Sequence, residues 1–236
     1  MSDILSVQNL RSGYGHIRVL HDVSFSLPRS GVSAIIGPNG HGKTTLLRTL
    51  SGLNRAWGGD IVFDGKKPPS SPEARARAGL VHVPQGDKLF TEMTVQENLS
   101  MGAYSRPKEA DFKAGLDAVF GLFPRLAERR DQRVSSLSGG ERRMVGIGRG
   151  MMADGKLLMI DEPSLGLAPI VIEQVYEALA QLASTGAAIL VVEENPSRIE
   201  NIAQRFFLMD GGHFAWSGDA EALRNSSDIV STYLGS

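Results

Sequence analysis

The 236-residue chain contains no cysteine, which excludes disulfides, a Cys-ligated zinc site, an iron–sulfur cluster and a thiol nucleophile. It has almost no net charge: 25 Lys+Arg against 26 Asp+Glu leave −1, without the long-range positive field of a protein whose main partner is nucleic acid. The five histidines are scattered, with no pair at metal-ligand spacing. Long hydrophobic runs are also missing. The longest, Ala187–Val192, has six residues, against the ~18 needed to span a bilayer. Met1-Ser2-Asp3-Ile4 has neither a basic n-region nor an apolar h-region, so a soluble cytoplasmic chain is expected. What is present is an ordinary globular balance of 42% hydrophobic and 22% charged residues. The length suits one domain or a compact bilobed one.

The N-terminal third reads as short strands. Ile4–Leu10, Val19–Leu27 and Val32–Ile36 are rich in β-branched residues and are separated by the turn clusters Ser12-Gly13-Tyr14-Gly15 and Pro28-Arg29-Ser30-Gly31. Lys43–Ser51 carries Leu46, Leu47 and Leu50 at helical spacing. Gly58-Gly59-Asp60 opens a strand at Ile61–Phe63, closed by Asp64-Gly65, and Leu80–Val83 is the next strand. From about Thr94 to Met152 the pattern is mostly helical: Val95–Met101, Lys108–Phe120, Pro124–Arg130 and a segment opening at Ser138. Strands return at Leu157–Ile160 and Ala188–Val192, around a helix at Pro169–Ala183, and end in the pair Phe206–Met209 and His213–Trp216. Unbroken apolar runs at 157–160 and 188–192 imply strands covered on both faces, hence a parallel α/β sheet.

Gly37-Pro38-Asn39-Gly40-His41-Gly42-Lys43-Thr44 fits G-x-x-x-x-G-K-[ST], after an apolar strand and before a helical pattern. Glycines there let backbone N–H groups face phosphate oxygens, and the helix beginning near Lys43 adds its positive dipole end. Lys43 supplies a cation to the β- and γ-phosphates and Thr44 a hydroxyl for Mg²⁺. Leu157–Glu162 is a buried strand ending in two carboxylates. Asp161 suits magnesium, and Glu162 suits polarising the attacking water. Alone such a pair is more often a solvated helix start; beside a phosphate loop, which needs a carboxylate for Mg²⁺, the preference reverses. Ser138-Gly139-Gly140-Glu141 is a capping box whatever else it does. Its glycines leave helix N–H groups uncovered, so an outside phosphate can approach.

Together the phosphate loop, Leu137–Glu141 and Asp161-Glu162-Pro163-Ser164-Leu165-Gly166-Leu167-Ala168-Pro169 resemble an ABC-transporter ATP-binding subunit over almost the whole chain. Phe123-Pro124-Arg125-Leu126, the Ser164–Pro169 stretch, Met93–Leu99 and the short tail resemble the branch serving importers of branched-chain amino acids, with urea and short-chain amide importers as relatives. The resemblance implies an α/β P-loop NTPase core with an N-terminal antiparallel β region and an inserted helical lobe. The domain would span 4–235, with 1–85 and 153–236 as core and 86–152 as the lobe.

The same resemblance implies ATP and Mg²⁺ as cofactors, with residues 37–45, including Thr45, on the phosphates. Tyr14 would stack on adenine beside Val19. Gln85 would contact Mg²⁺ and the attacking water, Thr44 and Asp161 would hold the metal, and Ser138, Gly139 and Gly140 would face the γ-phosphate in a partner subunit's site. Implied partners are a second, non-identical ATP-binding subunit (or a second copy for the isolated chain), membrane permeases docked around 85–130, and indirectly an extracytoplasmic binding protein. The chain would then sit peripherally on the inner face of the cell membrane.

Three departures from the family pattern stand out. His41 fills a position where small residues are usual and is expected to face solvent, with a phosphate within its reach. Arg142 and Arg143 replace glutamines and are expected to be a solvated pair, since cations are unfavourable at a helix N-terminus. In Val191-Val192-Glu193-Glu194-Asn195, Glu194 stands where a His or Gln bonds the γ-phosphate, and an ionised carboxylate cannot donate. Glu194 therefore carries a proton when ATP is bound, or turns away and leaves the geometry to Asn195 or Glu162, or slows the site. A non-transport ABC ATPase and a weakly hydrolysing regulatory subunit are the alternatives. Against the first stand the absence of a heptad insert and of a second ATPase domain; against the second stand Glu162 and Gln85.

Overall fold

The computed structural model describes residues 3–86, 88–104 and 109–226. A three-stranded antiparallel sheet is built from β1 (Leu5–Tyr14), β2 (Ile17–Leu27) and β4 (Ala56–Phe63) in the order β2-β1-β4. β1 does not turn at Ser12–Gly15 as its composition predicts. It runs through Ser12-Gly13-Tyr14 and reverses at Gly15-His16, with register shifts between Val7 and Gly13. The cause is local. Asn9 has a φ of 48° and pushes the strand out of register, and Gly59 (φ 84°) in β4 is pressed so close that a Cβ would meet the Asn9 carbonyl carbon at 2.5 Å. The bulge lies in β1, where Asn9 and Leu10 stand opposite the single residue Gly59, and Gly58-Gly59 lies inside β4 rather than opening it.

The second sheet has the order β5-β6-β7-β3-β8-β9, formed by β3 (Gly31–Ile36), β5 (Leu80–Val83), β6 (Leu157–Asp161), β7 (Ala188–Glu193), β8 (Ala203–Asp210) and β9 (His213–Gly218). The first five of these in sheet order are parallel; β9 pairs antiparallel with β8. Alternation along the strands divides the core in two. Val32, Ala34, Ile36, Leu158, Ile160, Ile189 and Val191 enter one cluster. Ile35, Leu157, Met159, Leu190 and Val192 enter the other, with the small sheet and Leu46, Leu47 and Leu50 of α1 (Lys43–Leu50). Both faces are covered, as continuous apolar strands require.

Between β5 and β6 lie α3 (Val95–Gly102), α4 (Glu109–Leu122), α5 (Pro124–Glu128) and α6 (Gly139–Met152). Lys108, the expected start of the second of these, lies outside the described residues, as do 227–235 of the expected domain. α5 stops at Glu128, short of Arg130. α7 (Pro169–Ser184) follows β6. The six-residue α2 (Pro72–Arg77) and α8 (Ala220–Asn225) are too short to leave a readable period. Among the described residues no helix is long and apolar enough to cross a membrane.

Parallel pairing decides where chemistry can occur. Val83 registers with Ile160, Asp161 with Val192, and Ile36 with Glu193. The residues that follow, Pro84-Gln85, Glu162, Glu194 and the Gly37 loop, therefore leave the sheet at one edge. This is the carboxyl edge, where open α/β sheets form their crevices.

α6 reaches that edge because Gly150 lets it lie on β5 and β6. A Cβ at 150 would stand 2.4 Å from Val83 Cγ2 and 3.2 Å from Leu158 Cδ1. Gly150→Ala is expected to destabilise the protein by about 1–3 kcal/mol through overpacking. Urea unfolding checks it, and an unchanged midpoint would show that α6 is free to move away from the sheet.

Candidate active site

The phosphate loop leaves β3 at Gly37 (φ 142°) and enters α1 through Gly40 (φ 83°) and Gly42 (φ 105°), conformations open to glycine. Lys43 is buried, and its ammonium folds back on its own loop, donating to Gly37 O at 2.7 Å and Pro38 O at 2.9 Å. Burial lowers its pKa, opposed first by Glu162. An open cavity of about 290 Å³ is lined by Asn39, Gly40, Gly42, Lys43, Thr44, Thr45, Gln85 and Glu162. Gly37, Pro38 and His41 are in the loop but do not line it.

Across the cavity stands the end of β6. Asp161 is fully buried; its Oδ1 accepts from Thr44 Oγ1 at 3.2 Å, and its Oδ2 has no hydrogen-bond partner among the described residues. Desolvation pushes its pKa up to about 6, with the Thr44 bond opposing. Glu162 has a φ of 45°, a strained conformation for a residue with a side chain, and is held by its N–H donating to Val192 O at 2.9 Å. Its Oε2 accepts from Gln85 Nε2 at 2.8 Å, and Lys43 Nζ is 3.9 Å from its Oε1. Burial raises the Glu162 pKa. A hydroxyl beside a desolvated carboxylate with a spare oxygen fits a hard cation that takes its other ligands from phosphate and water.

Glu194 is exposed, yet it does not turn away: Asn39 Nδ2 donates to its Oε2 at 3.0 Å across the loop. Asn195 is occupied elsewhere, accepting from the Ser197 N–H at 2.9 Å. Tyr14 is 44% exposed, with Thr45 Oγ1 at 3.4 Å from its hydroxyl and the Arg48 guanidinium 6.0 Å from its ring. Val19 lies beside the loop; a Cβ on Gly42 would meet its Cγ1 at 3.4 Å. His41 is not a free solvent-facing side chain, because its Nδ1 lies 2.8 Å from Asp210 Oδ1. Ser138, Gly139 and Gly140 cap α6 and do not line the cavity of their own chain. Glu141 Oε2 accepts from the Ser138 N–H and hydroxyl, and its Oε1 lies 2.8 Å from Arg129 Nε.

The expected solvated arginine pair is a correction. Arg143 is 4% exposed and donates to Asp161 O at 2.7 Å, Pro84 O at 3.0 Å and Pro163 O at 3.3 Å. β5 and β6 end here, so these carbonyls have no further strand to bond. A guanidinium with five donors in a fixed fork satisfies three of them at once, where a glutamine offers two donors. Arg142 is half-buried and donates to Leu137 O at 3.1 Å.

Glu193 also escapes a reading of the sequence alone. It is 1% exposed, accepts from the Tyr176 hydroxyl and from the Ser164 N–H at 3.2 Å, and lies 3.8 Å from Arg198. Arg198 donates in turn to Ser164 Oγ at 2.5 Å. The loop after Glu162 is thereby tied to β7 and α7. The one available signal was the acidic residue continuing an apolar strand, which needs a buried donor set.

A family model described as ABC transporter matches residues 20–165. The high-affinity branched-chain amino acid transport ATP-binding protein BraG of Pseudomonas aeruginosa is 39% identical, over 98% of this chain and 100% of that protein. The lipopolysaccharide export system ATP-binding protein LptB of Haemophilus influenzae is 32% identical, over 98% and 97%. The ADP conformation of MJ1267, an ATP-binding cassette of an ABC transporter, superposes with a TM-score of 0.86 at 27% identity and full coverage of both chains.

The Asp161 carboxyl makes the site pH-sensitive. A folded value near 6, above the ordinary 3.8, means that the folded chain prefers the proton. That stabilisation is full below about 3.8 and is lost as pH rises through about 6. A cation at Asp161 has to displace this proton. Mg-ADP binding near pH 5.5 is expected to release more protons than at pH 8, and Asp161→Asn should reduce the excess to the part that the ADP phosphate itself releases. Titration calorimetry in buffers of different ionisation enthalpy measures it.

Proposed function

The chain belongs to the ABC transporter family and hydrolyses ATP as a transporter's ATP-binding subunit, and from that premise we propose that it powers import of branched-chain amino acids through separate membrane permeases. Support for this substrate class comes from whole-length similarity to BraG at 39% identity, against 32% for the export protein LptB. If deleting the chain from its host leaves uptake of radiolabelled leucine unchanged, that substrate class is wrong.

The observation that carries the hydrolytic mechanism is the convergence of Gln85, Glu162 and Lys43 at the phosphate-loop cavity. ATP phosphates would lie on the loop amides and the first turn of α1. Lys43, released from the Gly37 and Pro38 carbonyls, would turn to the β- and γ-phosphates. Thr44, Gln85 and Asp161 would hold Mg²⁺, which would neutralise charge on the phosphoryl oxygens. Glu162 would accept the proton of the attacking water at a carboxylate oxygen, and Gln85 orients that carboxylate. Its burial-raised pKa suits a general base. Tyr14 and Val19 would hold adenine. Ser138, Gly139 and Gly140, away from their own loop, would close the partner subunit's site in a pair of non-identical ATP-binding subunits.

The permeases would dock in the groove between β5, α3 and α6, about 360 Å³ in volume. Phe90 and Met101, 45% and 43% exposed, offer apolar area there, and Arg149 lies 5.7 Å from the Phe90 ring. Docked there, the chain would sit peripherally at the inner membrane face. Gln85 sits at the edge of the same region, so docking there would be felt at Glu162.

Lys43→Ala is expected to weaken nucleotide binding and abolish turnover. Glu162→Gln is expected to keep binding, lower kcat by roughly 100-fold or more, and accumulate an ATP-bound dimer in sedimentation. Undiminished ATPase in Glu162→Gln would remove the general-base assignment. Glu194→Gln keeps the acceptor for Asn39, removes a negative charge beside the γ-phosphate and adds a donor. It is expected to tighten Mg-ATP binding by about threefold (~0.7 kcal/mol) or to raise kcat. Steady-state ATPase compared with the unaltered chain decides; equal curves would make Glu194 a bystander.

A further inference from the structure

The turn Asp210-Gly211-Gly212 between β8 and β9 touches both the phosphate loop and β2. His41 Nδ1 is 2.8 Å from Asp210 Oδ1, and the Gly212 N–H donates to the His41 carbonyl at 3.1 Å. Gly212 O accepts from the His21 N–H at 2.8 Å. Gly212 has a φ of 83°, and a Cβ there would stand 1.9 Å from the Val19 carbonyl oxygen. Only glycine lets the turn lie this close to β2.

His41 supplies the one side chain between Gly40 and Gly42, two residues with the largest conformational freedom to lose. Fixing His41 therefore restricts the segment whose amides must converge on an anion. Its Nδ1 also lies 3.1 Å from the Gly211 nitrogen. One nitrogen cannot donate to Asp210 and accept from Gly211 together, so the two contacts belong to different protonation patterns of the ring. Either one pins the loop to the same turn. Asp210 also brings a carboxylate close to a loop that receives phosphate, and the imidazole edge covers its Oδ1.

We propose that His41 is a positioning residue that braces the phosphate loop against the β8–β9 turn, ordering the loop before nucleotide arrives. This rests on residues 37–45 being the phosphate site. The brace fixes the loop relative to Val19 as well, so the phosphate and base ends of the site keep one spacing.

The test uses the full chain, with Mg-ADP titrated by calorimetry and amide hydrogen exchange of residues 37–45 followed without nucleotide. His41→Ala is expected to weaken Mg-ADP binding by roughly 2- to 10-fold, the worth of one such hydrogen bond, and to speed exchange at 40–44. Adding Asp210→Ala to His41→Ala should cost nothing further. His41→Asn, whose amide nitrogen reaches the place of Nδ1, should restore most of the affinity and the protection. Unchanged affinity and exchange in His41→Ala would overturn the brace, as would an additive loss in the double variant. Were the unaltered chain to ignore Mg-ADP, the phosphate-site reading itself would fail. If His41→Ala does not fold, His41→Leu, which fills the space of the ring without a hydrogen-bonding atom, takes its place and is expected to lose affinity and protection relative to His41→Asn; equal values in the two would overturn the proposal.

Discussion

At the end of β6 the chain must leave a sheet that is buried on both faces while carrying Asp161 and Glu162 with it. The last carbonyls have no next strand residue to bond. Arg143 meets that demand from α6, and the Val192 carbonyl holds the Glu162 N–H. With both in place Glu162 is kept at a positive φ and its carboxylate faces Lys43 and Gln85. Remove the guanidinium and three carbonyls lose a donor in a region where each such loss costs about 1–3 kcal/mol.

The same corner concentrates like charge. Asp161, Glu162 and Glu193 are buried within reach of Lys43, and Glu194 adds a fourth carboxylate at the loop. Such a cluster persists because each acid has its own partner: Thr44, Gln85, Tyr176 and Asn39 in turn. Lys43, drawn onto backbone carbonyls, is not committed to any one acid. A tetra-anionic ligand entering here meets a loop rich in donors and must separate Lys43 from those carbonyls. The site is thus electrostatically poised for exchange of partners rather than preassembled around one of them.

α6 joins two surfaces. Its start presents Ser138 to the outside, its second turn carries Arg143 to the carbonyls of Asp161 and Pro163 on either side of Glu162, and its far end, near Gly150, borders the groove proposed for permeases. A displacement of the helical segment by a membrane partner would pull on the carbonyls beside Glu162. Glu193 does the corresponding work for the loop at Ser164, tying it to α7. Arg143 reaches backbone carbonyls only, whereas Glu193 takes one backbone N–H, from Ser164, and the Tyr176 hydroxyl.

Much of this was legible in the residues. The phosphate loop and the acidic end of β6 carry their chemistry in local spacing, because glycine freedom, helix dipoles and strand burial act over a few neighbouring residues. The β5 boundaries came out unchanged from the periodicity, and the capping box at Ser138 is as its residue types require. What pattern could not supply was whatever depends on which chain ends meet. Arg143 looks solvated until β5 and β6 are seen to stop beneath α6. His41 looks free until Asp210, far along the chain, is brought to it by the β3–β8 pairing. Gly13 reads as part of a turn and Gly58-Gly59 as the start of a strand, but cross-strand pairing carries β1 and β4 straight through them. Local composition therefore determines which groups can do chemistry, while tertiary pairing decides which of them lose water, find counter-charges and stand within a bond of one another.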